Sequence, residues 1–202
     1  MENFSFFNPT QIEFGTDKEK LIGQHLATNG IKKVLLCYGS ERIKREGLFE
    51  VVSRSLSEKG IAFVEFGGIV SNPVISKVRE GIALARAHGV DAILSVGGGS
   101  VLDSSKAIAA GVCHDGEVWD LFTGKERIAR ALPIFAILTL AATGSEMNPG
   151  AVVTNDETKE KFFISATPLF PRVSIVNPAL MQGVTRDYLV YSASDVIAHL
   201  ID

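Results

Sequence analysis

The chain has 202 residues, a formal net charge of −3 at pH 7 and 46% hydrophobic residues, which is typical of a folded α/β protein. The slight excess of acid argues against nucleic acid or an anionic membrane as the main partner. No apolar run is long enough to span a membrane and the N-terminus lacks a secretory signal, so the sequence predicts a cytoplasmic protein.

Short apolar runs alternate with helical patterns along most of the chain. This alternation predicts a parallel β-sheet covered by helices on both faces. The predicted strands are Lys33–Tyr38, Ala62–Phe66, Ala92–Val96 and Ile134–Leu138. The predicted helices lie near Lys18–Thr28, Leu48–Lys59, Ile75–Ala87 and Leu102–Val112. The fold class is therefore predicted to be α/β and Rossmann-like.

A β-hairpin is predicted after the fourth strand, outside the parallel core. Its strands are Ala151–Asn155 and Lys161–Ser165, and Val173–Val176 is one further candidate strand. The two cysteines, Cys37 and Cys113, occur in no C-x-x-C pair, and we expect them to be buried, unpaired thiols without a catalytic role.

A continuous helical pattern begins after Thr185, which is a plausible N-cap. The pattern reaches Asp202 without a stop signal, and Val196, Ile197, Leu200 and Ile201 form an apolar face. Such a face needs further protein against which it can be buried. We therefore expect the chain to be the N-terminal portion of a longer protein.

The strongest local motif is the glycine-rich turn Gly97–Ser100, which lies between a predicted strand and a predicted helix. Glycines let backbone N–H groups approach an anion closely, and the helix adds unpaired N–H groups and the positive end of its dipole. A tight turn without a ligand is the simpler alternative. Three consecutive glycines and a serine at the carboxyl end of a strand favour a phosphate site.

A second loop, from Thr139 to Glu146, follows the strand Ile134–Leu138. Its hydroxyl groups and small residues are suited to hydrogen bonds with a diphosphate, a ribose or an amide. A cluster of threonine, serine and glycine after a strand is more often an ordinary loop, so this segment is weak evidence by itself.

Asp195 and His199 form a D-x-x-x-H pattern in the predicted terminal helix. Four-residue spacing places both side chains on one helical face, where a carboxylate oxygen and an imidazole nitrogen suit Zn²⁺ or Fe²⁺. An exposed Asp–His pair is the alternative. Small neighbours such as Ala198 leave room for a ligand and make a shared metal worth proposing.

The ordered motifs together resemble the iron-containing (group III) alcohol dehydrogenases, in particular the butanol dehydrogenase and broad aldehyde reductase branch. The order is GGGSVLDSSK, TLAATGSEMN, NPALM and then D-x-x-x-H. The resemblance implies an oxidoreductase that transfers hydride between a nicotinamide and a small alcohol or aldehyde such as butanol or butyraldehyde. It also implies a homodimer in the full-length protein.

The resemblance implies site residues, position by position. The diphosphate would be bound by Gly97, Gly98, Gly99 and Ser100; the further cofactor contacts would be Asp103, Thr139, Thr143, Lys161 and Leu180; and the first two of four ligands to Fe²⁺ or Zn²⁺ would be Asp195 and His199. Residues 1–180 would form a dinucleotide-binding α/β domain, and residues 181–202 the start of a truncated helical metal-binding domain. We expect the chain alone to be an incomplete, inactive catalyst.

The resemblance also bears on the choice of cofactor. Family members with an acid at the position of Gly39 look NAD-preferring, because an acid at a strand end can bond the ribose 2′-OH and repel a 2′-phosphate. Here Gly39 and Ser40 follow the strand, and Arg42 is close behind. We therefore expect NADP rather than NAD. The direction in which the Glu41 side chain points also affects this preference.

Two other functions remain open from the sequence. One is a glycerol-dehydrogenase-like or dehydroquinate-synthase-like member of the same fold, although the T-G-S-E loop and D-x-x-x-H are not expected there. The other is a non-catalytic nucleotide-binding fragment, against which the unfinished terminal helix argues.

Overall fold

The computed structural model describes residue 5 and residues 7–201, with only the helical backbone described for residues 199 and 200. The strands are β1 Gln11–Phe14, β2 Lys33–Tyr38, β3 Ala62–Phe66, β4 Ala92–Gly97, β5 Ile134–Leu138, β6 Gly150–Thr154, β7 Lys161–Ser165 and β8 Val173–Val176. The α-helices are α1 Ile22–Thr28, α2 Arg42–Arg45, α3 Leu48–Glu58, α4 Ile75–His88, α5 Gly99–Val112, α6 Val118–Phe122 and α7 Arg186–Ile201. Short 3₁₀ helices are Lys18–Leu21, Ser145–Met147, Thr167–Leu169 and Pro178–Met181.

Six strands form one parallel sheet in the order β1-β8-β5-β4-β2-β3, and β6 pairs with β7 in a separate antiparallel hairpin. This arrangement confirms the predicted α/β, Rossmann-like fold class and places the hairpin outside the parallel core. None of the described helices is long and apolar enough to cross a membrane.

Successive side chains of the central strands lie on opposite faces of the sheet and pack into two different hydrophobic clusters. Along β2, Leu35 and Cys37 pack with residues of α4 and α5, whereas Leu36 and Tyr38 pack with residues of α1 and α3. Both faces are thus buried, which explains why the central strands are continuous apolar runs rather than alternating ones.

The sheet has a topological switch point between β2 and β4. The connection that leaves β2 leads to α3 on one face, and the connection that leaves β4 leads to α5 on the other. A crevice therefore opens beyond the carboxyl ends of these two strands, the place where open α/β sheets bind ligands.

Several elements differ from the sequence predictions. The edge strand β1 and the short helices α2 and α6 were not predicted, because four or five residues carry too little periodicity to be recognised. The helix after the glycine-rich turn begins at Gly99 instead of near Leu102, so that Gly97 ends β4, Gly99 begins α5 and Gly98 lies between them. Cys113 is half-buried rather than buried, and both cysteines are unpaired.

Candidate functional site

A cavity of about 900 Å³ lies beyond the carboxyl ends of the parallel strands. Its walls come from the end of β2, the loop after β3, the glycine-rich turn, the start of the loop after β5, and the segment that leads into α7. Its lining is mainly apolar, and its polar groups are concentrated at the glycine-rich turn and near α2. This combination is typical of a pocket for a small molecule or cofactor.

The glycine-rich turn presents the amino terminus of α5 to this cavity. Gly98 is the N-cap in an extended conformation, and its carbonyl accepts hydrogen bonds from Val101 N and Leu102 N, both at 3.1 Å. The first N–H groups of a helix have no intrahelical acceptor, and here they belong to residues that line the cavity. A helix N-terminus that faces a cavity in this way is a favourable position for an anion.

The loop after β5 packs directly against the turn and leaves little room for side chains at Gly98 and Gly99. A Cβ atom on Gly99 would lie 2.7 Å from Thr143 Oγ1, and one on Gly98 would lie 3.2 Å from Leu140 Cβ. Thr139 N also donates to Gly97 O at 3.0 Å. Two segments that are distant in sequence thus form one continuous wall.

Most of the predicted cofactor contacts line this cavity. They are Gly39, Ser40, Gly97, Gly98, Gly99, Ser100, Thr139 and Leu180. Thr143 lies just behind this wall, against Gly99. Lys161 is exposed at the start of β7, with Nζ 3.4 Å from Asn72 Oδ1, and Asn72 adjoins the lining residue Ser71.

Asp103 is turned towards protein groups. Its Oδ1 accepts a hydrogen bond from Ser145 Oγ at 2.8 Å, and its Oδ2 accepts one from Val152 N at 3.1 Å. Burial raises the pKa of this carboxyl, against these two hydrogen bonds and the nearby Lys106 ammonium. In the structure, Asp103 joins α5 to the loop after β5 and to the hairpin, and its contact with a cofactor remains a prediction.

Lys106 is a buried cation that the sequence analysis did not single out. Its Nζ lies among oxygen atoms of the loop after β5, and its side chain has no solvent exposure. A signal was present in the sequence, because this lysine directly precedes the apolar stretch Ala107–Ala110 of a predicted helix. A charged residue is found in such a place when the fold supplies partners for it.

Basic and acidic residues meet at the α2 end of the cavity. Arg42 and Glu46 both line it and form an ion pair, with Nε 2.6 Å from Oε1. Glu41 does not line the cavity. It pairs with Lys44 at 3.2 Å and lies 3.1 Å from the Tyr38 hydroxyl.

A second carboxylate completes the network beneath α2. Glu65 of β3 contacts both Lys44 and the Tyr38 hydroxyl, and these contacts lower its pKa. Burial, together with the hydrogen bond to Glu65, raises the pKa of Tyr38 to about 12. The tyrosine is therefore neutral at physiological pH, and the network fixes α2 to β2 and β3.

The proposed metal ligands lie on α7. Thr185 Oγ1 accepts a hydrogen bond from Tyr188 N at 3.4 Å, as expected for an N-cap. Asp195 is half-buried on this helix, and the His199 side chain lies outside the described part of the chain. Within the described residues, no group of three or more His, Cys, Asp and Glu side chains is placed to share a metal ion.

Comparison with known proteins gives consistent matches along the chain. The profile of the family described as "Iron-containing alcohol dehydrogenase" matches residues 9–178. The probable NADH-dependent butanol dehydrogenase 2 of Bacillus subtilis is 45% identical over 202 residues, which are 100% of this chain and 52% of that protein. The NADPH-dependent aldehyde reductase YqhD of Escherichia coli is 33% identical over 205 residues, again 100% of this chain and 52% of that protein.

Solved structures agree with these sequence matches. The crystal structure of NADH-dependent butanol dehydrogenase A from Thermotoga maritima superposes with a TM-score of 0.97 at 48% identity, covering 100% of this chain and 50% of that one. A 1,3-propanediol oxidoreductase structure superposes with a TM-score of 0.90 at 31% identity, covering 100% of this chain and 52% of that one. The chain thus spans about half the length of the relatives it matches.

Proposed function

This chain belongs to the iron-containing alcohol dehydrogenases, and on that premise we propose that it supplies the nucleotide-binding part of an NAD(P)-linked alcohol dehydrogenase or aldehyde reductase. The proposed substrates are small alcohols and aldehydes, such as butanol and butyraldehyde. Relatives named butanol dehydrogenase, aldehyde reductase and 1,3-propanediol dehydrogenase support this substrate class.

The observation that carries the proposal is the glycine-rich turn at the head of α5, facing a cavity of about 900 Å³ at the switch point of the sheet. A dinucleotide requires an anion site for its diphosphate and apolar walls for its two rings. The cavity provides N–H groups at Gly98–Ser100 and an apolar wall at Leu180.

In this proposal, each segment of the wall binds a different part of the cofactor. The glycine-rich turn binds the diphosphate. Thr139 forms a hydrogen bond, as donor or acceptor, with the nicotinamide half. Gly39 and Ser40 lie beside the adenosine ribose. Thr143 and Lys161 are proposed to act from beside the wall, consistent with the contact of Thr143 with Gly99 and of Lys161 with Asn72. Asp103 is proposed to act from behind the wall, where it contacts Ser145.

The metal proposal concerns Asp195 and His199. A carboxylate and an imidazole four residues apart on one helix fit two positions around Zn²⁺ or Fe²⁺, and small residues surround them. Further ligands would have to come from outside the described residues. When bound, such a metal supplies Lewis acidity towards a carbonyl oxygen. The two side chains would supply two of its ligands, while the cavity walls would orient the reactants and exclude water.

The proposed division of the chain places a dinucleotide-binding domain at residues 1–180 and the start of a helical metal-binding domain at residues 181–202. The exposed start of α7 supports it, since Tyr188, Leu189, Val190 and Tyr191 are each more than half exposed. Apolar side chains of this size are usually covered by other protein. The cytoplasmic location and the homodimer remain predictions.

NADP(H) remains the proposed cofactor. The position at the end of β2 is Gly39, which offers no carboxylate to the ribose, and Glu41 is engaged with Lys44 and Tyr38 away from the cavity. The charge of Glu46 at the cavity is balanced by Arg42. Relatives of 37–45% identity carry NADH in their names, and YqhD carries NADPH. The preference of this chain for NADPH over NADH therefore has to be measured directly.

Nucleotide binding is tested by titrating the 202-residue chain with NADPH and NADH and following the reduced nicotinamide fluorescence. We expect saturable binding of both, tighter for NADPH. A chain that is folded by circular dichroism but binds neither nucleotide would overturn the proposed function.

The reaction is tested with a hybrid in which this chain replaces the matching half of the Bacillus subtilis relative, with which it shares 45% identity. Loaded with Fe²⁺ or Zn²⁺, the hybrid should oxidise NADPH when butyraldehyde is added. The same hybrid carrying Asp195→Ala is the matched control and should be nearly inactive. A folded, metal-loaded and nucleotide-binding hybrid without any aldehyde-dependent turnover would contradict the assigned reaction.

A further inference from the structure

The ammonium of Lys106 connects α5 to the loop between Thr139 and Gly150. Its Nζ lies 2.7 Å from Ser145 O, 2.8 Å from Ser145 Oγ, 2.8 Å from Asn148 O, 3.3 Å from Asn148 Oδ1 and 2.8 Å from Gly150 O. An ammonium has three donors and no acceptor, so this ring of oxygens is matched to the protonated form. Charge-assisted hydrogen bonds of this kind are stronger than neutral ones.

Asp103 reinforces the same connection from one turn earlier on α5. It accepts from Ser145 Oγ at 2.8 Å, so the Ser145 side chain is a donor to Asp103 and an acceptor for Lys106. Burial lowers the pKa of Lys106 to about 8, although Asp103 and Glu146 favour its charged form. The side chain is therefore mainly an ammonium at neutral pH.

The loop that Lys106 holds is the one that forms the cavity wall. Leu140 and Thr143 of this loop contact the positions of Gly98 and Gly99 at close range. Two other side chains bond to the loop from elsewhere in the fold: Ser174 Oγ donates to Glu146 O and Asn8 Nδ2 donates to Met147 O, each at 2.7 Å. Besides the backbone bond from Thr139 N to Gly97 O, Lys106 and Asp103 are the described side chains that hydrogen-bond the loop to the helix whose first turn faces the cavity.

We propose that Lys106 is a positioning residue for the cofactor, which holds the loop after β5 against the glycine-rich turn so that the two segments fit the diphosphate together. This inference rests on the proposed nucleotide-binding function. Its consequence is specific. A looser loop should lower the affinity for ligands whose diphosphate lies between the glycine-rich turn and the loop after β5. It should leave the affinity for ligands confined to the adenosine end, near Gly39 and Arg42, unchanged.

The test compares Lys106→Met with the wild-type chain. Methionine keeps an unbranched, buried side chain but removes the ammonium, which leaves the loop oxygens without their donor. NADPH affinity is measured by fluorescence, and 2′-AMP affinity by calorimetry, because 2′-AMP contains the adenine, ribose and 2′-phosphate without the diphosphate. We expect NADPH affinity to fall by roughly tenfold or more and 2′-AMP affinity to change less than about threefold.

Two further variants complete the test. Ser145→Ala removes the hydroxyl shared by Lys106 and Asp103, should act in the same direction with a smaller loss, and carries the test if Lys106→Met does not fold. Ile108→Val is the matched control, because Ile108 is buried on the same helix but faces Gly81 of α4. It should lower the urea midpoint and leave both affinities unchanged.

The outcomes separate the two proposals. A wild-type chain that binds no NADPH overturns the proposed function itself. A wild-type chain that binds NADPH, with folded Lys106→Met and Ser145→Ala binding it equally well, overturns the role of Lys106 alone. Equal losses of NADPH and 2′-AMP affinity also overturn it, because they would show a general effect on the fold.

Discussion

Replacing Gly39 by aspartate should turn the cofactor preference of this chain from NADP(H) to NAD(H). Gly39 follows the last residue of β2 and lines the cavity. A Cβ atom there would lie 3.2 Å from Ile69 O and 3.7 Å from Val101 Cγ2. The backbone at Gly39 is not left-handed, so a side chain causes no strain there by its φ angle, but it requires Ile69 O to move by a few tenths of an ångström.

The size of the loss in NADPH affinity follows from the repulsion between the new carboxylate and the 2′-phosphate. A carboxylate at this strand end can accept a hydrogen bond from the ribose 2′-OH of NADH, whereas it faces a phosphate of about −1.5 to −2 charges in NADPH. Two unit charges 4 Å apart repel by about 1 kcal/mol in water and about 4 kcal/mol at an effective dielectric constant near 20. Because the cavity is open to solvent, we expect a loss of about 1–3 kcal/mol, or roughly 5- to 150-fold in NADPH affinity.

The matched control is Gly39→Asn. Asparagine has the same shape as aspartate and meets Ile69 O at the same distance, but it carries no charge. Fluorescence titrations of the wild type and both variants with NADPH and NADH give two dissociation constants for each. The asparagine variant should lower the affinities for NADPH and NADH by the same factor. The aspartate variant should in addition reverse the order of the two affinities.

Two results would refute this reasoning. If the aspartate and asparagine variants gave the same ratio of NADPH to NADH affinity, the carboxylate would not face the 2′ position. If the wild type already bound NADH more tightly, the absence of an acid at Gly39 would not determine the preference, and the NADH-named relatives would be the better guide.

Three further outcomes are expected. Gly99→Ala should weaken NADPH binding by roughly tenfold in the same titration, because its Cβ would stand 2.7 Å from Thr143 Oγ1 and overpack the cavity wall; an unchanged dissociation constant would show that the loop yields. Asp195→Ala should lower the affinity for Zn²⁺ by roughly tenfold or more in competition with a chelating dye, and equal affinities would remove Asp195 from the proposed ligands. At pH 8 a disulfide reagent should label Cys113 and spare Cys37, because burial raises the pKa of Cys37 to about 12; two thiols reacting without denaturant would contradict this.

The parallel core could be predicted from the sequence because its strands are short apolar runs with clear borders. β2, β3, β5 and β8 have the predicted bounds, since each is buried on both faces or ends at a turn. β1 could not be predicted in this way. Of its four residues QIEF, the first and last are exposed and the middle two are half-buried. Among the described residues their strand partner is β8, which lies more than 150 residues further along the chain.

The same distinction applies to the site. The glycine-rich turn is recognisable because the close approach of Leu140 and Thr143 to the backbone requires small residues, and this requirement appears directly as glycine in the sequence. The role of Lys106 depends on acceptors that lie 39 to 44 residues further along. A local pattern can show that this lysine is in an apolar setting, but the oxygens that satisfy it are brought there by the fold.

The proposed roles place cofactor binding strength and cofactor discrimination on different attachments. Lys106 bonds to the loop after β5 from α5, on one face of the sheet. The network of Tyr38, Lys44 and Glu65 fixes α2, which brings Arg42 to the proposed adenosine end of the cavity. Because the connections after β2 and β4 leave on opposite faces, a change in one attachment need not disturb the other. In the proposed function, the switch point in the strand order therefore lets one cavity bind the diphosphate in a constant way while the residues proposed to lie at the ribose select the cofactor.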